Sequence, residues 1–253
     1  TTLPILNSTL TNTTSTVTFT GSLSRTTGEN VNDYTINIGT LTNTNYDITL
    51  NPETFEINKK TITVSGITAS DKVYDANTTA TIDLTGITFD TLSFTDTITA
   101  TVTGTFDTKD IGTSKTVSLT TTYSSTALDN YTIVDQTTTT ASITARTITA
   151  TLIGAVDKIY NATTSATLTP SNYALGGFVG GESATITQTF GTYDTKDIGT
   201  SKEVTVSLTD AYAPASGTLL SNYSLAATAT GTVGNITAKT LTITNITVLD
   251  KVY

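Results

Sequence analysis

Apolar and polar residues alternate along much of this chain. Thr97–Phe106 reads TITATVTGTF, with Ile98, Ala100, Val102, Gly104 and Phe106 in one phase and Thr in the other. Val117 and Leu119 keep the habit, as do Val204, Val206 and Leu208. A period of two belongs to a strand buried on one face and wet on the other. Leu is not at helical spacing, and no run approaches the ~18 apolar residues of a transmembrane helix. The pattern predicts an all-β chain whose strands pair antiparallel around thin two-layer cores.

The alternation is organised by an internal repeat. DKVYDANTTATI (Asp71–Ile82) returns as DKIYNATTSATL (Asp157–Leu168), and DKVY stands again at Asp250–Tyr253. FDTKDIGTSKTVSL (Phe106–Leu119) returns as YDTKDIGTSKEVTVSL (Tyr193–Leu208), and DNYTI (Asp129–Ile133) as SNYSL (Ser221–Leu225). Each unit closes on a similar strand: INKKTIT from Ile57, ITARTIT from Ile143 and ITAKTLT from Ile236. From each of these Ile residues to the next DK the chain counts 14 residues, whereas the DK motifs recur after 86 and 93. Indels therefore fall inside the units and the joints keep a constant length. The chain divides into residues 1–59, an incomplete unit; 60–145 and 146–238, two full units; and 239–253, the opening strand of a further one. The units are expected to be β-sandwich modules, Ig-like or, as the runner-up, β-grasp-like, set end to end with a step of roughly 30–40 Å for a ten-residue strand.

At each joint the apolar phase flips. Ile143 and Ala145 share one parity, and Ile148, Ala150 and Leu152 the other. The same break separates Ile57 from Ile62 and Ala238 from Leu241. Since a one-residue shift moves the buried set to the opposite face, the last strand of one core is expected to become the first strand of the next. No Gly/Ser or Pro-rich linker intervenes, which predicts a short, stiff joint. The first unit carries a GENV stretch (Gly28–Val31) where the later units have KDIG, and its own opening strand is expected to be missing. In Ala184–Tyr193 (ATITQTFGTY) Phe190 falls out of phase with Tyr193, and Gly191 is the expected site of a β-bulge.

Composition narrows the chemistry. The chain of 253 residues has no Cys, His, Met or Trp, and more than a quarter of it is Thr. Thr is β-branched and suits the solvent face of a sheet. Without Cys and His there is no disulfide framework, no thiolate or imidazole metal site, and no Cys–His or Ser–His–Asp catalysis. With 12 basic against 21 acidic residues and a net charge of −9, nucleic acid is not an expected partner. No catalytic, cofactor-binding or metal-ligating residue is assigned, and the chain is expected not to be an enzyme.

Four motifs are candidate sites, and each has a structural reading that outweighs the chemical one. Asp71, Lys72 and Asp75 would suit a metal or isopeptide site, but Asn161 replaces Asp75 in the second copy. Tyr74 and Tyr160 are therefore expected to be partly buried anchors. Asp107 with Asp110, and Asp194 with Asp197, provide too few oxygens for a calcium loop and read as hairpin turns. Asn45–Tyr46, Asn130–Tyr131 and Asn222–Tyr223 are expected to bury a tyrosine at a corner of each module. GGFVGG (Gly176–Gly181) has no following GK[ST] and reads as a flexible turn. N-x-[ST] sequons occur at Asn77, Asn161, Asn222 and Asn235.

At KVYDANTTATI, FDTKDIGTSK and DNYTI the chain resembles the YDG-type repeats of large bacterial surface proteins. Gly21–Leu50 is similar to the companion MBG-type repeat. Asp75 keeps the Asp of that family, while Ala76 stands where the family usually has Gly; in the second copy Asn161 and Ala162 replace both. The resemblance implies an extracellular place on a bacterial cell surface, in tandem arrays of haemagglutinin-like adhesins, and it carries over no functional residue. The expectation is a non-catalytic stalk that spans distance and bears load. Its partners would be neighbouring modules or identical chains, with any glycan or protein ligand elsewhere in the full protein. One alternative is a filament subunit joined by strand donation. The other is a glycan- or protein-binding adhesin module, for which the indel near Ala211–Leu220 has Tyr212 as its only aromatic.

Overall fold

The computed structural model describes residues 17–253 except Phe94. The absence of an opening strand in the first unit concerns residues 1–16, which lie outside the described residues. The described chain is all-β, built of several small sheets and interrupted by three single 3-10 turns, Leu128–Asn130, Pro170–Asn172 and Leu220–Asn222. No helix among the described residues is long and apolar enough to cross a membrane.

Two compact units form. Unit 1 takes in residues up to Ser65 together with Ile87–Thr101 and Thr121–Gln136; unit 2 takes in Gly66–Gly86, Val102–Thr120 and Thr137–Tyr253. In unit 1, Ser24–Arg25, Asn32–Asn37 and Thr54–Ile57 make a three-stranded antiparallel sheet. Arg25 is laid over the rings of Tyr34 and Phe55 at 4.8 and 5.3 Å and closes a salt bridge of 2.7 Å on Glu29. A second sheet in unit 1 sets Lys60–Ser65 between Tyr131–Val134, which runs parallel to it, and Thr88–Phe89, which runs antiparallel. Its core is Ile62, Ile98, Ala127 and Tyr131.

Unit 2 holds two cores. In the first, Tyr74, Ala80, Phe106, Val117, Ala141 and Ile143 are joined by Ile148 and Tyr223. The second gathers Leu152, Val156, Ala166, Leu168, Ile186, Tyr193, Val204, Val206, Leu208 and Ile236. The alternation seen in sequence is the one that builds these cores: from Lys202 to Ser207 and along Thr99–Phe106 every second residue faces inward. Thr fills the opposite face, where its hydroxyl stays in water at no desolvation cost.

The two full repeats reproduce one register. The DK strand lies parallel to the closing strand, with Lys72 opposite Ile143 in the first and Lys158 opposite Ile236 in the second. The sheets are thus mixed, with parallel pairs beside the antiparallel ladders. The reason is topological: both strands run out toward the same joint, so they can only pair in the same direction.

Three local readings change. The phase slip before Tyr193 is not a bulge at Gly191. Strand pairing stops after Ile186 and resumes at Phe190. Gln188 Oε1 accepts from the N–H groups of Thr189 and Phe190 across the gap, which leaves Phe190 70% exposed. Gly191 is a close-approach position instead, since a Cβ there would meet Val206 Cγ2 at 2.8 Å. The parity flip does not hand the chain straight from one core to the next either. Ile148, past the flip, still packs with Tyr74 and Ile143, and Leu152 is the first residue of its strand to enter the following core. Finally, GGFVGG is a packed turn. Phe178 and Val179 lie on the Tyr74 core, with the Phe178 ring 4.8 Å from Tyr223.

Ala76 and Ala162 adopt φ of +65° and +64°. This left-handed conformation costs a Cβ about 1–2 kcal/mol, which explains why Gly is the usual residue there in the repeats this chain resembles. Ala76 offsets the cost by packing against the first core of unit 2, whereas Ala162 is exposed. Ala162→Gly should therefore stabilise the protein by about 0.5–1 kcal/mol, read as a rise in the denaturation midpoint, while Ala76→Gly should gain less.

Candidate functional site

The lysine of each DK motif crowns its own turn. Lys72 Nζ donates to Asp75 Oδ1 at 2.8 Å, to Asn77 O at 2.8 Å and to Thr79 O at 3.0 Å. Lys158 Nζ donates to Asn161 Oδ1 at 3.1 Å and to the carbonyls of Thr163 and Ser165. Asn161 thus does the work of Asp75 without a charge. Asp71 accepts from Ser142 N–H at 2.6 Å. These groups are spent on turn and strand, and no cluster of three or more metal-ligating side chains forms among the described residues.

The DTKDIG segments are hairpin turns. The Lys of the following strand pins each one: Lys115 sits 2.9 Å from Asp107 and Lys202 sits 3.0 Å from Asp194. Hydrogen bonds from these lysines hold both carboxyls below the usual carboxylate range. Sequence reasoning missed the remaining half of the turn. Asn222, buried in the second repeat, reaches the KDIG turn of the first: its Oδ1 accepts from Ile111 N–H at 3.0 Å and its Nδ2 donates to Asp110 Oδ1 at 2.8 Å. Unit 1 shows the same clamp. Asn130 Oδ1 accepts from Val31 N–H at 2.8 Å and Nδ2 donates to Asn30 Oδ1 at 3.0 Å. Asn30–Val31 belongs to the GENV stretch, so a turn of each earlier segment receives an Asn from the Asn–Tyr turn of the next. The Asn222 side chain is buried with its oxygen and its nitrogen both hydrogen-bonded.

The tyrosine beside each clamp meets a carboxylate. Tyr131 OH donates to Asp96 Oδ2 at 2.7 Å and accepts from Ser93 N–H. Tyr223 OH donates to Glu182 Oε2 at 2.8 Å. Glu182 Oε1 accepts from Tyr74 OH at 2.7 Å and from Lys109 Nζ at 2.6 Å, and Lys109 also donates to the Tyr74 hydroxyl at 2.7 Å. Tyr74 is completely buried, more than a partly buried anchor, and stacks edge-on to Tyr223 with ring centres 5.3 Å apart. Tyr74 and Lys109 come from the first repeat and Glu182 and Tyr223 from the second. Tyr46, the third tyrosine of the set, is 55% exposed and makes no such contact. Tyr212 donates to Ala226 O at 3.0 Å and packs on both cores, so it is a packing residue.

The strands complete the joint. Arg146–Thr147 pairs parallel with Tyr223–Ser224 in unit 2, as Lys60–Thr63 pairs with Tyr131–Val134 in unit 1. A cleft of about 670 Å³ opens beside the unit 1 clamp, lined by Glu29, Phe55, Lys60, Asp96 and Tyr131 among others. Its tyrosine and Asp96 are already bonded to each other. Of the joint residues, sequence reading singled out both Asn–Tyr pairs, Tyr74 and Asp110. Glu182 gave no signal, because its counterpart in the first repeat is Asp96.

Two outcomes follow. Asn222→Ala leaves the Ile111 N–H and Asp110 without their partner, and should cost about 1–3 kcal/mol and speed hydrogen exchange at the Ile111 amide. Burial alone would raise the Glu182 carboxyl, but the Lys109 ammonium and the two tyrosine hydroxyls outweigh it and hold it below its ordinary 4.5. A depressed acid contributes stability above the unfolded value, lost as pH falls through the folded one. Glu182→Gln should therefore cost about 1–3 kcal/mol at neutral pH, toward the lower end because Lys109 is partly exposed. The gap to the native chain should close in thermal melts taken below pH 4.5.

No curated protein and no solved structure matches the chain. Residues 2–56 match the MBG domain (YGX type). Residues 58–141 and 144–231 each match the YDG domain, together more than half of the chain. The clamp therefore joins one matched stretch to the next, twice, and the chain belongs to the YDG domain family.

Proposed function

We propose that this chain is a non-catalytic stalk segment, a set of repeat modules of a larger protein that holds distance and carries load. The observation that carries this reading is the joint. Between the two YDG stretches there is no free linker; Ile148 is buried, Tyr74 and Tyr223 share a core, and Asn222 and Glu182 bond across to the preceding repeat. A joint with its own core and hydrogen bonds resists bending, where a Gly/Ser tether would not. The polar groups at the joint are matched to one another, which leaves little for a substrate.

The place we propose is the bacterial cell surface, outside the cell. It is supported by the YDG and MBG matches, a net charge of −9 and a Thr-rich exposed face that keeps the modules soluble and apart. The partners are neighbouring modules, and any ligand is met elsewhere in the full protein. The test is a series of arrays carrying one, two and four added YDG repeats, measured by small-angle scattering. The maximum dimension should grow by a constant step of roughly 30–40 Å per repeat. A step that shrinks with repeat number, as for a chain of flexibly tethered beads, would rule the stalk out.

A further inference from the structure

The second YDG repeat presents the same face that the first repeat has covered. On the first repeat, Tyr74, Lys109, Asp110 and Ile111 receive Glu182, Tyr223 and Asn222. Ile148, on the strand leaving the joint, is buried beneath them. The equivalent residues of the second repeat are Tyr160, Lys196, Asp197 and Ile198, and the equivalent of Ile148 is Leu241. They sit together: Tyr160, Asp197, Ile198, Ala238, Lys239 and Leu241 line one open cleft of about 430 Å³. Lys196 lies beside Tyr160 as Lys109 lies beside Tyr74.

This face differs from the first in exposure. Leu241 is 85% exposed, where Ile62 and Ile148 are buried. Ile198 is 61% exposed against 37% for Ile111. The carboxylate that Lys196 pairs with is the exposed Asp197, at 3.5 Å, where Lys109 meets Glu182 at 2.6 Å. Ile243, Ile246 and Val248 beyond Leu241 are exposed as well.

The geometry points to Tyr160, Lys196, Asp197, Ile198 and Leu241 as a docking socket for a further YDG-like module that brings three groups. An asparagine amide bridges Ile198 N–H and Asp197. A carboxylate enters between Tyr160 and Lys196. A tyrosine-bearing strand pairs with Lys239–Thr240, as Tyr223–Ser224 pairs with Arg146–Thr147. The occupant is specified by this chain's own filled joints, so the inference rests on the serial-repeat reading but not on load-bearing.

The test extends the full chain. Residues 149–253 are joined again after Leu241, which keeps the whole socket, and hydrogen exchange is followed at the Ile198 amide, with Ile111 as the internal reference. In the unextended chain Ile198 should exchange fast and Ile111 slowly. The extension should slow Ile198 by about tenfold or more. With Asn222→Ala in the appended copy alone, Ile198 should return to fast exchange while strand content and cooperative unfolding persist. A folded extension that leaves Ile198 unprotected overturns the socket. So does protection in the unextended chain that rises with protein concentration, since a second copy would then be the occupant. Arrays that dock in this way yet bend freely in scattering would sink the stalk and leave the socket standing.

Discussion

An asparagine side chain holds an NH2 donor and a carbonyl acceptor in one fixed plane, and the joint of this protein depends on both. Asn222 accepts from a backbone N–H and donates to the neighbouring Asp110; Asn130 does the same to Val31 and Asn30. Two antiparallel demands on one rigid amide fix the rotation of the turn it grips as well as its distance. An ionised aspartate would supply the acceptor but no donor. Tyr74 and Ile148 are buried at the unit 2 joint with Phe178 packed against them, but apolar contact is non-directional and would tolerate sliding. The amide sets the register that the burial then fills.

Around that clamp the rest of the architecture follows. The carboxylate of Glu182 sits among two hydroxyls and an ammonium, which lets an acid be buried without an unpaired charge. The parallel pair of Lys72 with Ile143, repeated as Lys158 with Ile236, directs two strands toward the same joint. Each core is only two layers thick, so a single repeat leaves its end open, and the neighbour's turn is what closes it. Tyr74 shows the result: this side chain of the first repeat is completely buried in a core to which the second repeat contributes Ile148 and Tyr223.

The sequence made the strands, the repeat and the constant joint length legible, because period-two alternation and duplicated motifs are local signals. The Asn–Tyr pairs were visible as recurrences, but the eye goes to the tyrosine, whose burial is easy to argue. The asparagine's partner lies about a hundred residues earlier and no local pattern announces it. Tyr46 shows the limit of the analogy, since it carries the same pair and stays exposed. Gly191 shows another: a glycine in an irregular strand suggested a bulge, whereas a buried neighbour, Val206, is what excludes a side chain there. Glu182 was illegible for a simpler reason, as nothing in a lone glutamate after a Gly-rich turn signals that two tyrosines converge on it.

The constant stretch between closing Ile and DK has a genetic consequence. The clamp contacts between repeats lie in the joint strand, the KDIG or GENV turn and the Asn–Tyr turn, and most of the difference between 86 and 93 residues is taken up elsewhere in the unit. Units of unequal size are therefore interchangeable at their ends. Unequal crossing-over between copies of the coding sequence can add or delete whole units and still yield joints that fit, so such a gene is free to drift in length while its product keeps its fold.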